Sequence, residues 1–278
     1  MNTADLEPRV SSNELGRLLR YWREARRVGQ IDLALGSGVS QRHISFVESG
    51  RSIPERQTLL NIAQSLDVPF RERNALLLSA GYAPVYSEAP WNAHEMASVT
   101  KAIGRLLRQH EPFPAIVMDR YWNVLMTNKA APSLFNHFID MEARTGPRNL
   151  LHLFFDPQGM RPYVAKWETV AQSLIQRVYR EAVGHVIDNQ TQQLLDALHS
   201  YPGVRPEWKR QGTSDSGSRM PMVPIGFIKD GTVLNYFSMV TTVGSPQTVA
   251  AQELRIECMF PVDDETAIRQ TALLERKP

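Results

Sequence analysis

The sequence predicts an α+β chain in two parts: an all-α N-terminal region, then an α+β region built on an antiparallel sheet. Three observations carry this. Between residues 13 and 80 apolar residues recur at helical spacing and nothing alternates like a strand. After Pro114 the period changes to short β-rich runs. Between the two, from Tyr82 to about Asn92, the composition turns to Pro, Ala, Ser and Tyr, as in a hinge.

In the first region, "NELGRLLRYWREARR" places Leu15, Leu18, Leu19 and Trp22 on one helix face, with Gly29 closing it. A second helix begins at Gln30 and a third follows Ser40. Pro54 opens a fourth, with Leu59, Ile62, Ala63 and Leu66 inward. A fifth, in "VPFRERNALLLSAGYAP", is closed by Gly81 and Pro84. "HEMASVTKAIGRLLRQH" carries Met96, Val99, Ile103, Leu106 and Leu107 at helical spacing, so the hinge ends in a connecting helix.

In the second region, "AIVMD" and "WNVLMT" read as strands of a hairpin joined through Asp119, Arg120 and Tyr121. Asn128 is a cap for the helix "KAAPSLFNHF", where Pro132 falls in the tolerant first turn. Helices are expected over 162–183 and 188–199. Strands are expected at 223–228, in "TVLNYFSMVTTV" and in "ELRIECMF", and a polar helix from Asp263. "QGTSDSGSR" reads as a flexible loop. The domains are accordingly 1–85, a linker and connecting helix over 86–110, and 111–278.

The totals exclude several classes. A chain of 278 residues with 42% apolar and 22% charged residues is globular. No apolar run approaches the roughly 18 residues of a membrane span, and "MNTADLEPRV" is too polar for a signal peptide. The lone Cys258 fits a reducing, cytoplasmic setting, where the sequon at Asn189 is a chance match. The net charge of +2 decides nothing about nucleic acid, but its distribution is uneven. Arg17, Arg20, Arg23, Arg26 and Arg27 crowd one predicted helix as a positive stripe.

Residues 30–54 meet the steric demands of a helix-turn-helix. Ala34 is small where two helices press closest, and Gly38 permits positive φ at the turn. Val39 packs beneath, Ser40 caps the third helix, and Leu33, Ile44 and Val47 face inward. Gln41, Arg42, His43, Ser45 and Phe46 then remain outside. Arg and Gln are the side chains that pair with guanine and adenine edges in the major groove. Gln30 and Ser40 at helix N-termini, and Arg51 in the following turn, suit phosphate.

"GVSQRHISFVESGRSIP", with "LGRLLRYWREARR" before it, resembles the XRE (Cro/C1-type) repressor helix-turn-helix, a five-helix DNA-binding domain covering about residues 13–80. The resemblance implies base reading by Gln41, Arg42 and Phe46, phosphate contacts from Gln30, Ser40 and Arg51, and a structural Glu48. "RERNALLLSAGYAPVY", "HEPFPAIVMDRYWNVLMTNKAAPSLF" and "NLLHLFF" resemble regulators with a MmyB-like ligand-binding domain, whose fold is similar to a PAS sensor. Where that family commonly has His-Pro before its late strands, this chain has Met220-Pro221.

Such a domain folds helices over a curved sheet, leaving room for a small molecule. Met118, Trp122, Val124, Phe135, Phe138, Phe154, Tyr236 and Met239 are the expected lining. They imply an apolar ligand, and the resemblance is compatible with a fatty-acid-like one. His152 and Arg161 are the candidate cations for an acidic head group. No dinucleotide or P-loop motif occurs, and the seven histidines include no H-x-H and no i, i+4 pair, so no metal site is expected. Asp263-Asp264-Glu265 reads as a helix start. No nucleophile–base pair stands out, so no enzyme is expected. The reading is a transcription regulator binding a double-stranded operator as a homodimer and sensing a small apolar ligand, with no membrane contact. The alternative is a DNA-binding protein whose second domain only dimerises or meets a protein partner.

Overall fold

The computed structural model describes residues 12–182, 188–209 and 224–275. They form two units: 12–89 with 247–249, and the remainder from residue 90 onward.

The first unit is five helices: α1 (Ser12–Ala25), α2 (Gln30–Ser37), α3 (Gln41–Glu48), α4 (Arg56–Ser65) and α5 (Phe70–Ser79). Leu15, Leu19, Trp22, Leu33, Ile44, Val47, Leu59, Ile62 and Leu77 make one buried core. Gly38 holds φ at 70° and its neighbour Val39 donates from N to the Ala34 carbonyl at 3.2 Å, so the α2–α3 turn forms as expected. Ser40 Oγ accepts from the His43 N–H at 3.2 Å. Gly29 does not close α1. The left-handed residue is Arg27, with φ 56°, while Gly29 is extended and precedes α2.

A close approach unread in the sequence lies at Gly16. A Cβ there would stand 2.6 Å from the Glu48 carbonyl oxygen, so α1 meets the end of α3 backbone to backbone. The expected hinge is pinned in its first half. Asn74, fully buried, accepts from the N–H groups of Val85 and Tyr86 and donates to the Tyr86 carbonyl, and the Phe70 and Tyr86 rings stack at 4.0 Å.

The second unit is a five-stranded antiparallel sheet: β1 (Ala115–Met118), β2 (Val124–Thr127), β3 (Ile225–Lys229), β4 (Thr232–Thr241) and β5 (Arg255–Pro261). The spatial order is β2-β1-β5-β4-β3. Asp119 makes the first hairpin, its Oδ1 accepting from the N–H groups of Tyr121 and Asn123. Asp230-Gly231, both at positive φ, make the β3–β4 turn between the paired Lys229 and Thr232. Asn128 is fully used: Oδ1 accepts from Ala115 and Ala131, and Nδ2 donates to the Leu107 and Phe113 carbonyls.

Strand alternation divides the core into two clusters. Ile116, Met118, Phe227, Leu234, Tyr236 and Met259 pack with α7 (Ala130–Phe138), α8 (Leu150–Phe155), α9 (Trp167–Glu181) and α10 (Asn189–His199). Ala115, Val117, Ile256 and Cys258 pack with Ile103 and Leu107 of α6 (Ala97–Gln109) and with Ala251 of α11 (Val249–Glu253). The expected connecting helix is therefore a layer of the second unit. α12 (Asp264–Glu275) closes the first cluster, with Gln270 Oε1 accepting from the Tyr236 hydroxyl at 2.7 Å.

The helix expected over 162–183 starts at Trp167. Before it, Arg161–Tyr163 is a single 3-10 turn and Val164 bridges to Phe227, which fixes that backbone as extended. The loop at 211–219, Met220-Pro221 and residue 223 lie outside the described residues.

Candidate nucleic-acid interface and ligand cavity

α3 has one buried face, Ile44, Val47 and Glu48, and one open face. Gln41 and Arg42 are exposed in its first turn; His43, Ser45 and Phe46 are half-buried. Phe46 lies between two cations. The Arg42 guanidinium is 5.3 Å and that of Arg51 5.9 Å from its ring centre. The half-buried ring thus orients both arginines across the open face. Arg51 is exposed, its N–H bonded to the Phe46 carbonyl at 2.8 Å, with Gly50 at φ 72° turning the chain there.

Other expected contacts have internal duties. Ser40 caps α3, and Gln30 donates from Nε2 to Glu48 Oε2 at 2.9 Å. Glu48 is the hub: Arg23 meets it in two bonds, Nε to Oε1 at 2.6 Å and Nη2 to Oε2 at 3.0 Å. That hydrogen bond pushes the Arg23 pKa further up. The expected arginine stripe is consequently reduced. Arg20 donates to the Glu48 carbonyl and Arg26 to the carbonyls of Leu66 and Asp67, so that Arg17, Arg20 and Arg27 stay exposed while Arg23 and Arg26 are half-buried. Sequence pattern missed this because the acceptors, at the end of α3 and in the turn after α4, lie far away in sequence.

In the second unit a cavity of about 200 Å3 opens between the sheet, α7, α8 and the loop before α8. Val124 and Phe135 of the expected lining are on its wall. Phe135, Phe154 and Tyr236 line a space of about 20 Å3 beside it, which shares Ile116, Phe135 and Leu150 with the larger one. Met118, Trp122 and Phe138 are buried in the same cluster without reaching either wall. Met239 departs from the expectation. It pairs with Cys258, on the sheet face opposite Tyr236, and is 58% exposed.

The expected rim cations are elsewhere too. His152 Nδ1 bonds the Tyr201 hydroxyl at 2.9 Å, and burial followed by the charge of Arg144 lowers its pKa. Arg161 stacks 3.7 Å over Trp167. The cations on the wall are Arg144 and Arg148, joined by Met141 and Pro147 from the same loop. A loop has no period, so only the clustering of two arginines around Gly146-Pro147 hinted at them. Among the described residues no group of three or more His, Cys, Asp or Glu is placed to hold a metal ion, and no helix is long and apolar enough to cross a membrane.

Comparison with known proteins accords with this geometry. Residues 99–273 match the family described as MmyB-like transcription regulator ligand binding domain. Residues 19–73 match a helix-turn-helix family. The HTH-type transcriptional repressor RghR of Bacillus subtilis (strain 168) is 30% identical over 137 residues, covering 46% of this chain and 93% of that protein.

Proposed function

Because this chain belongs to the MmyB-like transcription regulators, DNA-binding proteins that join a helix-turn-helix to a ligand-binding domain, we propose that α3 reads operator bases and that the cavity senses a small apolar molecule. The observation that carries the DNA half is the pairing of exposed Gln41 and Arg42 on a helix whose opposite face is buried. An α-helix fits the major groove, and these two side chains offer bidentate pairing to adenine and guanine. Phe46 aligns Arg42 and Arg51 and presents its edge to a thymine methyl, while His43 and Ser45 flank the reading pair. Arg51, Ser40 and Gln30 lie where the phosphates pass.

The apolar cavity wall supports a fatty-acid-like ligand rather than a sugar. The organisation proposed is a reading domain over 1–85, a connection over 86–110 and a sensing domain over 111–278. One such head reads few base pairs, so the acting species is a homodimer, at work in the cytoplasm and performing no catalysis. Ligand binding shifts the two heads between placements, by no more than the ligand's affinity difference between them.

Two variants test the reading. Arg42→Ala should weaken specific binding by about 1–3 kcal/mol and relax preference at one base position. Arg51→Ala should weaken all sequences alike and lower the salt dependence by about one phosphate contact. Both are read by fluorescence anisotropy over a salt series. Wild-type affinity and base preference in both variants would contradict the assignment of α3.

A further inference from the structure

Resting on the ligand-sensing reading above, we infer that the cavity takes a compact apolar monocarboxylate, anchored by Arg144. Charge points first. Arg144 and Arg148 line the space and no acidic side chain does. Asn149, its amide neighbour, is saturated: Oδ1 accepts from the N–H groups of Leu151 and His152, and Nδ2 donates to the Tyr121 carbonyl and Asn123 Oδ1.

Arg144 is held but not satisfied. Its side chain is 11% exposed, Nη1 donates to the Pro147 carbonyl at 3.0 Å, and Nη2 reaches Asp156 only at 3.5 Å. Its Nε is buried without a hydrogen-bond partner. Nη2, with only that distant acceptor, keeps capacity to donate, and a ligand carboxylate is the strong partner for a guanidinium on the cavity wall. Gly146 makes room for this placement: a Cβ there would lie 2.5 Å from Arg144 Nη2. Arg148 is exposed at the same wall, and among the described residues it has no carboxylate partner.

Size points next. An apolar cavity of about 150 Å3 holds one benzene. The about 200 Å3 here therefore admits one ring with a short acidic arm, or an acyl chain of about eight carbons. Ile116, Phe135 and Leu150 line both it and the small space beyond, and so close that direction to a longer tail.

Isothermal titration of the full chain with phenylacetate, octanoate, their amides and myristate tests this. At least one compact acid should bind, its amide on the order of 10- to 100-fold more weakly, and myristate no more tightly than that acid. Arg144→Gln should close the gap between acid and amide, bringing the acid down to the amide's level. Gly146→Ala, which displaces the guanidinium while keeping its charge, should also weaken the acid alone, and it carries the test if Arg144→Gln fails to fold.

Equal binding of acid and amide, or an acid unaffected by both variants, overturns the anion assignment while leaving an apolar sensor intact. Myristate binding more tightly than both compact acids overturns the size class. If neither compact acid binds, the inference falls, and if the amides and myristate also fail, the sensing reading falls with it.

Discussion

Glu48 shows how a single side chain positions a surface it does not belong to. It is 5% exposed, yet it carries a carboxylate that Arg23 meets with two hydrogen bonds and Gln30 with a third. Removing one member of a buried ion pair strands the other. Glu48→Gln should therefore destabilise the first unit by about 3–5 kcal/mol. Hydrogen exchange of the α1 and α3 amides in the full chain measures this, and unchanged protection would show that the pair is dispensable. Gln41 and Arg42 were legible in the sequence as the outward face of a helix, because Ile44 and Val47 fix what points inward. The internal use of Arg20, Arg23 and Arg26 was not, since Arg23 and Glu48 stand 25 residues apart and no local pattern links them. Arg144 and Arg148 escaped for a related reason: their placement depends on how a loop without period folds against the sheet.

At the scale of elements, two glycines set where α3 lies, by different means. Gly38 needs its left-handed backbone and has open space around it, so Gly38→Ala should cost about 1–2 kcal/mol from backbone strain alone. At Gly16 the backbone is ordinary, but an added methyl meets the carbonyls of Val47 and Glu48 at 2.8 and 2.6 Å. Backbone cannot swing aside as a flexible side chain can, so Gly16→Ala should push α1 and α3 apart and cost more than Gly38→Ala. Urea midpoints of the two variants rank them, and the reverse order would refute this account of the packing. The turn at Gly38 was readable because φ follows from a local motif. The contact at Gly16 was not, being a property of two helices at once. The strands were found through their β-rich runs, and Asp230-Gly231 was an available hairpin signal. The start of α9 was misplaced because Val164 is claimed by a strand far away in sequence.

In the whole molecule one chain carries a helix-turn-helix and a ligand-binding domain, and each has its own conditions. In the second unit Arg120 is buried between Glu253 and Asp188, which also accepts from the Tyr121 hydroxyl and the Thr191 N–H. Burial alone would raise the Asp188 pKa, but Thr191, Arg120 and Tyr121 together hold it below the ordinary aspartate value. A carboxylate depressed in the folded state contributes stability that is fully present above its unfolded pKa, about 3.9. That contribution is lost as pH falls through the lower folded value. Asp188→Asn should thus cost stability at neutral pH and flatten the acid limb of the thermal midpoint. An unchanged acid limb would remove Asp188 from the balance.

The central claim is that two α3 helices lie in successive major grooves of one duplex. Selection of bound DNA from a random duplex library tests it most directly. The account predicts an enriched inverted repeat whose half-sites are about one helical turn, roughly 10 base pairs, apart, and loss of one position's preference in Arg42→Ala. Recovery of no preferred sequence, or of one that Arg42→Ala selects unchanged, would contradict it.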